Sequence, residues 1–160
     1  MAQKHAISDV PALRELFFTL YRRFGSLHRE QICCDWVTVS QCYAMQILLG
    51  EGEMTAGELG ERLGIDASTV TRGVDVLEKR GAIERRRAEL GDRRRVLLRL
   101  TPDGEELTRR INDQANTTFE RLLDRLGPKE RDELVRSLGT FSRLLDELAT
   151  GCGPCEIGEK

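Results

Sequence analysis

Residues 55–81 read TAGELGERLGIDASTVTRGVDVLEKRG, two short amphipathic runs separated by a glycine turn. Thr55 and Glu58 stand at capping-box spacing, in which the hydroxyl accepts from a backbone amide and the carboxylate reaches back to the threonine amide. The helix they open carries Leu59 and Leu63 and stops at Gly64. Asp66 suits the N-cap of a second helix over 67–80, with Val70, Val74 and Leu77 on its apolar face and Gly81 as its stop. Two short helices joined by a tight turn containing glycine predict a helix-turn-helix. The first helix braces. The second presents Ser68, Thr69, Thr71 and Arg72, short donors and acceptors plus one guanidinium, which suit base edges and phosphates in a major groove.

Immediately downstream the period changes from helix to strand. Residues 83–87 read as a strand, Glu89 to Asp92 as a turn, and 94–100 as a returning strand with Val96, Leu98 and Leu100 on one face. A hairpin directly after a helix-turn-helix is a wing. From Lys79 to Arg99 the basic residues Lys79, Arg80, Arg85, Arg86, Arg87, Arg93, Arg94, Arg95 and Arg99 outweigh the acids Glu84, Glu89 and Asp92 by +6. The rest of the chain then carries -8 within a total of -2. A basic run alone is usually a solvated face. Placed after a helix-turn-helix, it is the footprint of a double-stranded DNA partner.

On either side lie long amphipathic helices. One runs from Asp9 to about Ile32 with Val10, Leu13, Phe17, Leu20, Phe24 and Leu27 at helical spacing. Cys33 to Trp36 reads as a connection, and a second helix starts near Thr38 and stops at Gly50. Thr101-Pro102 opens another helix, with Leu107, Ile111, Ala115, Thr118, Leu122 and Leu126 spaced by three and four until Gly127-Pro128 breaks it. The last carries Leu134, Leu138, Phe141, Leu145 and Leu148. Such stripes resemble coiled-coil seams and need cover, which a second copy of the chain supplies most simply. The expected organisation is a dimerisation helix over 1–36, a winged helix-turn-helix over 37–101, dimerisation helices over 102–150 and a cysteine-containing tail over 151–160. The fold class is mainly α with a small β-hairpin wing.

Composition excludes other readings. With 160 residues, 32% charged and 39% hydrophobic, the chain suits one domain with helical extensions. No apolar run approaches a membrane span, and the first residues lack the apolar core of a signal peptide, which predicts a cytoplasmic location. Two histidines, His5 and His28, are too few for a histidine-rich metal site or a triad. No phosphate loop, nucleophile–base pair or carboxylate pair marks an enzyme. A helical module that binds protein is a third class, and the charged wing argues against it.

At this point the residues resemble the MarR family of winged-helix regulators. The likeness rests on Thr38-Val-Ser-Gln41, Thr55-Ala-Gly-Glu58-Leu59, Val70-Thr71-Arg72, Val76-Leu77-Glu78-Lys79-Arg80-Gly81, Asp92-Arg93-Arg94 and Leu98-Arg-Leu100-Thr101-Pro-Asp-Gly104, in order and at matching spacing. The resemblance implies an obligate homodimer joined by the first and last two helices, releasing a pseudo-palindromic operator when an effector binds. It implies that Ser68, Thr69, Thr71 and Arg72 face DNA and that the wing arginines Arg93, Arg94 and Arg95 reach it. Arg94 would enter a minor groove whose narrowness gives it strong negative potential, and Asp92 would hold the wing's shape. A hydroxyl bonded to its own helix backbone is the competing reading of Thr71. Two departures stand out: Cys42 replaces a common large aromatic, and Gly60 replaces a common alanine at a small helical cost.

Five cysteines in a reduced compartment are core residues, metal ligands or redox groups rather than a disulfide framework. Cys33, Cys34 and Cys42 fall where relatives of this family usually bind effectors, and Cys152 and Cys155 follow the last helix. Soft thiolates select soft ions, so arsenite or Zn(II) are candidate effectors, though none is required as a cofactor. A redox response or a small aromatic ligand is the alternative. Cys152-Gly-Pro-Cys155 matches the thioredoxin active-site sequence but lacks its strand–helix context, which leaves a thiol oxidoreductase as the weakest reading. Cys42, sharing a face with Val39, Met45 and Leu49, also packs well as a core residue.

Overall fold

Met45, Leu59, Val74, Leu77, Ile83, Leu98 and Ile111 are almost completely shielded from solvent and form one cluster. A computed structural model describes residues 10–27, 36–87 and 95–151. Its elements are α1 (Val10–Leu27), α2 (Val39–Glu51), β1 (Met54–Thr55), α3 (Ala56–Leu63), α4 (Ala67–Lys79), β2 (Ile83–Arg87), β3 (Val96–Leu100), α5 (Pro102–Leu123) and α6 (Pro128–Gly151). The expected mainly helical fold with a β-hairpin wing is the one observed.

The helix ends follow the local chemistry. Thr55 and Glu58 form the capping box, the Glu58 amide donating to Oγ1 at 3.2 Å and the Thr55 amide to Oε2 at 2.7 Å. A second box, not recognised in the sequence, opens α2: the Thr38 amide donates to Gln41 Oε1 at 2.9 Å and the Gln41 amide to Thr38 Oγ1 at 3.3 Å. α3 ends at Gly64 in the left-handed region, φ 66°. Gly60 has a packing role that its helix cost conceals. It is buried, and an alanine Cβ there would lie 2.7 Å from the Ile65 carbonyl oxygen, so its bare Cα lets the turn close against α3.

The sheet holds one strand more than expected. Met54 pairs with Leu98 and Thr55 with Leu97, adding β1 to the β2–β3 hairpin in the antiparallel order β1-β3-β2. Two residues carry too short a pattern to be legible as a strand. β3 spans Val96–Leu100, and Arg94 and the expected turn at Glu89 to Asp92 lie outside the described residues.

The chain divides after Thr118 into two compact units. In the first, Leu107 and Ile111 of α5 join the winged-helix core. No residue of α1 is buried, and Leu13, Leu16, Phe17, Leu20 and Phe24 of that helix are exposed. In the second unit Leu134, Leu138, Leu145 and Leu148 of α6 are exposed. Among the described residues, no helix is long and apolar enough to cross a membrane.

Candidate nucleic-acid interface

α4 packs inward through Val70, Val74 and Leu77 and turns Ser68, Thr69, Thr71 and Arg72 to solvent. Asp66 caps it, accepting from the backbone amides of Ser68 and Thr69, each at 3.0 Å, and from both hydroxyls, that of Thr69 at 2.7 Å. These donors, the two hydroxyls foremost, hold the Asp66 carboxyl far below the usual range. Thr71 donates to the Ala67 carbonyl at 2.8 Å, the backbone-bonded alternative. A hydroxyl donates once and accepts twice. Ser68, Thr69 and Thr71 therefore spend their protons inside the helix and face outward as acceptors. Among the described residues Arg72 makes a long 3.4 Å contact to Thr69 Oγ1, and most of its fork of donors is left for an outside partner. The face thus offers acceptors for base amino groups beside one strong donor for a guanine edge or phosphate.

The wing is tied down by much of its own charge. Arg85 of β2 bridges to Asp75, at 2.6 Å, and to Glu78, both on α4. Arg86 grips Glu53 with two bonds of 2.6 and 2.7 Å. Arg95 bonds Glu58 at 2.6 Å, and Arg99 pairs with Glu84. Arg95, expected to face DNA, is thus engaged within the lobe. The basic stretch is partly a structural clamp, and sequence counting overstates its outward charge. Arg93, Arg94 and Asp92 lie outside the described residues.

The capping box at Thr55 and the clamp together predict that the lobe loses stability in acid. Glu58 is held below its ordinary 4.5 by the Thr55 amide, the Thr55 hydroxyl and then Arg95. Glu53 is held below the same value chiefly by its hydrogen bond from Arg86. A carboxyl depressed on folding contributes stability that is present above its unfolded pKa and lost as pH falls through the folded one. Urea midpoints should therefore drop as pH is lowered below about 4.5, and Glu58→Gln should flatten that drop. An equal acid loss in the variant would remove Glu58 as a cause.

Residues 37–95 match the model of the MarR family. The chain is 27% identical over 110 residues to an uncharacterised helix-turn-helix transcriptional regulator of Bacillus subtilis, YfiV, spanning 69% of this chain and 68% of the relative. It is 35% identical over 91 residues to the transcriptional repressor MprA of Escherichia coli, 57% of this chain but only 51% of the relative. In structure it resembles the PcaV transcriptional regulator of Streptomyces coelicolor, with TM-score 0.71 and 27% identity over 91% of this chain and 98% of that one. The winged-helix lobe of this chain is similar to the MarR family. Within that stretch α3 and α4 form the helix-turn-helix, with α4 in the place of the recognition helix.

Two polar residues of this lobe take structural roles that the sequence alone did not assign. Gln41 is buried, and its Nε2 donates to the Gly73 carbonyl of α4 at 3.0 Å. Glu53 anchors Arg86. The Thr38-x-x-Gln41 capping spacing was a readable signal for the first; a lone glutamate before a two-residue strand gave none for the second. Cys42 is 1% exposed within the apolar cluster, which favours its packing role. Cys33, Cys34, Cys152 and Cys155 lie outside the described residues. Among the described residues no group of three or more His, Cys, Asp or Glu side chains forms a candidate metal site.

Proposed function

We propose that this protein is a homodimeric repressor that places α4 of each subunit in successive major grooves of a pseudo-palindromic operator and leaves it when an effector binds. The observation that carries this reading is the exposed face of α4, where Ser68, Thr69, Thr71 and Arg72 stand clear of the lobe's own packing. The exposed leucines of α1 and α6, among them Leu13, Leu20, Leu138 and Leu148, support a second copy as partner. MprA's description as a repressor supports repression, and PcaV's structure with its natural ligand supports an effector.

The test is selection of duplexes from a random pool by the wild-type chain. A repeated half-site spaced by about one helical turn is expected. Arg72→Ala should weaken binding to the selected duplex about tenfold or more. Arg94→Ala should weaken it with a salt slope shallower by about one. No enrichment over the input pool overturns the proposal.

For the effector we take the thiophilic ion first, on the paired thiols Cys33–Cys34 and Cys152–Cys155. Arsenite or Zn(II) added to the reduced protein should bind stoichiometrically and release the duplex, and Cys33→Ser or Cys152→Ser should abolish the release. Indifference to both ions overturns this effector and turns the search to peroxides and small aromatic ligands.

A further inference from the structure

Segment 36–41 grips the recognition helix at two points. Gln41 Nε2 donates to the Gly73 carbonyl in the middle of α4, at 3.0 Å. At the C-terminal end of the same helix the Arg80 guanidinium sits over the Trp36 ring, 5.3 Å from its centroid. Seven residues separate Gly73 from Arg80, about 10 Å of helix. Between α2 and α4 runs a groove of about 310 Å³ lined by Gln41, Ala44, Thr69, Arg72 and Val74 among others. The two helices share the buried core through Met45, Val74 and Leu77, and at the edge of that packing, beside the groove, Gln41 adds a directional polar tie between them.

Gln41 is built for that tie. Its Oε1 is held by the Thr38 amide as part of the α2 capping box, which fixes the amide's orientation and aims Nε2 at Gly73. We infer that Gln41 is a positioning residue for DNA recognition: together with Trp36 it sets the place of α4 relative to the start of α2, so that the exposed face meets base edges in register. The inference rests on the DNA-binding reading above. Gln41 touches no base or phosphate itself; it acts through Gly73.

The experiment uses the full-length chain, the duplex enriched by the wild-type protein from the random pool, and a scrambled duplex of equal length. Gln41→Met keeps length and removes both the donor to Gly73 and the acceptor for the Thr38 amide, while Gln41→Glu keeps the acceptor and removes the donor alone. Expected are a fall on the order of tenfold in the ratio of selected to scrambled affinity, with scrambled binding and the salt slope unchanged. Arg72→Ala, by contrast, changes the slope. Trp36→Leu, which removes the ring under Arg80 and keeps an apolar side chain, should lower the ratio in the same direction and decides the matter if Gln41→Met unfolds. A merely structural role would lower both affinities together in proportion to folded protein. Wild-type affinity ratios in folded variants overturn the inference. Failure of the wild-type chain to enrich any duplex overturns the DNA-binding reading instead.

Discussion

Gly104→Ala is expected to lower unfolding free energy by at least ~2 kcal/mol, read as a shift of the urea midpoint by circular dichroism. An alanine Cβ at this position would lie 1.9 Å from the Ala82 carbonyl oxygen and 2.8 Å from its carbon. That carbonyl has little freedom to retreat. It accepts from the Thr101 amide at 3.1 Å, while the Thr101 hydroxyl donates to the neighbouring Gly81 carbonyl at 2.5 Å and accepts from the Gly104 amide at 3.1 Å. The first turn of α5 is thus stitched to the end of the recognition-helix turn, and the clash opens the stitch or bends the helix. Gly57→Ala is the matched control. Its nearest neighbour is 3.9 Å away, so the same change should stabilise by a few tenths to ~1 kcal/mol through helix propensity. Equal midpoints for Gly104→Ala and wild type would mean that Ala82 yields.

Leu138→Glu is expected to convert a dimer to a monomer in sedimentation and to weaken operator binding by about 10² to 10⁴ at fixed protein concentration. Leu138 is 55% exposed on α6, flanked on the same face by Leu134 and Leu145, also exposed. Each such leucine forgoes roughly 1.5–3 kcal/mol until something covers it. A charge in the middle of that seam must be desolvated without a partner, which a dimer interface does not tolerate. Because the position is exposed within the protomer, far-UV circular dichroism should stay unchanged, which separates lost assembly from lost folding. A variant that remains dimeric with wild-type affinity would place the interface elsewhere.

Much of the lobe was legible from spacing alone. The capping box at Thr55 and Glu58, the N-cap at Asp66 and the apolar triplet Val70, Val74 and Leu77 are local features, and local hydrogen bonding with 3.6-residue periodicity writes them directly into neighbouring residues. The exposure of Ser68, Thr69, Thr71 and Arg72 follows from the same period. What each can offer DNA did not. That Thr71 spends its proton on Ala67, and that the hydroxyls of Ser68 and Thr69 are drawn to Asp66, required the folded helix.

The helix-turn-helix, the hairpin after it and the sign of the charge along it were written in the order of residues, because each depends on neighbours close in the chain. Only tertiary structure decided how that charge is spent and what holds the recognition helix. Arg86 meets Glu53 and Arg95 meets Glu58 across strand pairings that bring distant residues side by side. Gln41 reaches Gly73 where α2 packs against α4, and Gly104 presses on Ala82 where α5 starts beside the end of the α4 turn. A hydrogen bond or a steric limit between residues far apart in sequence leaves no period to read. It exists only once the core has closed and set the distance.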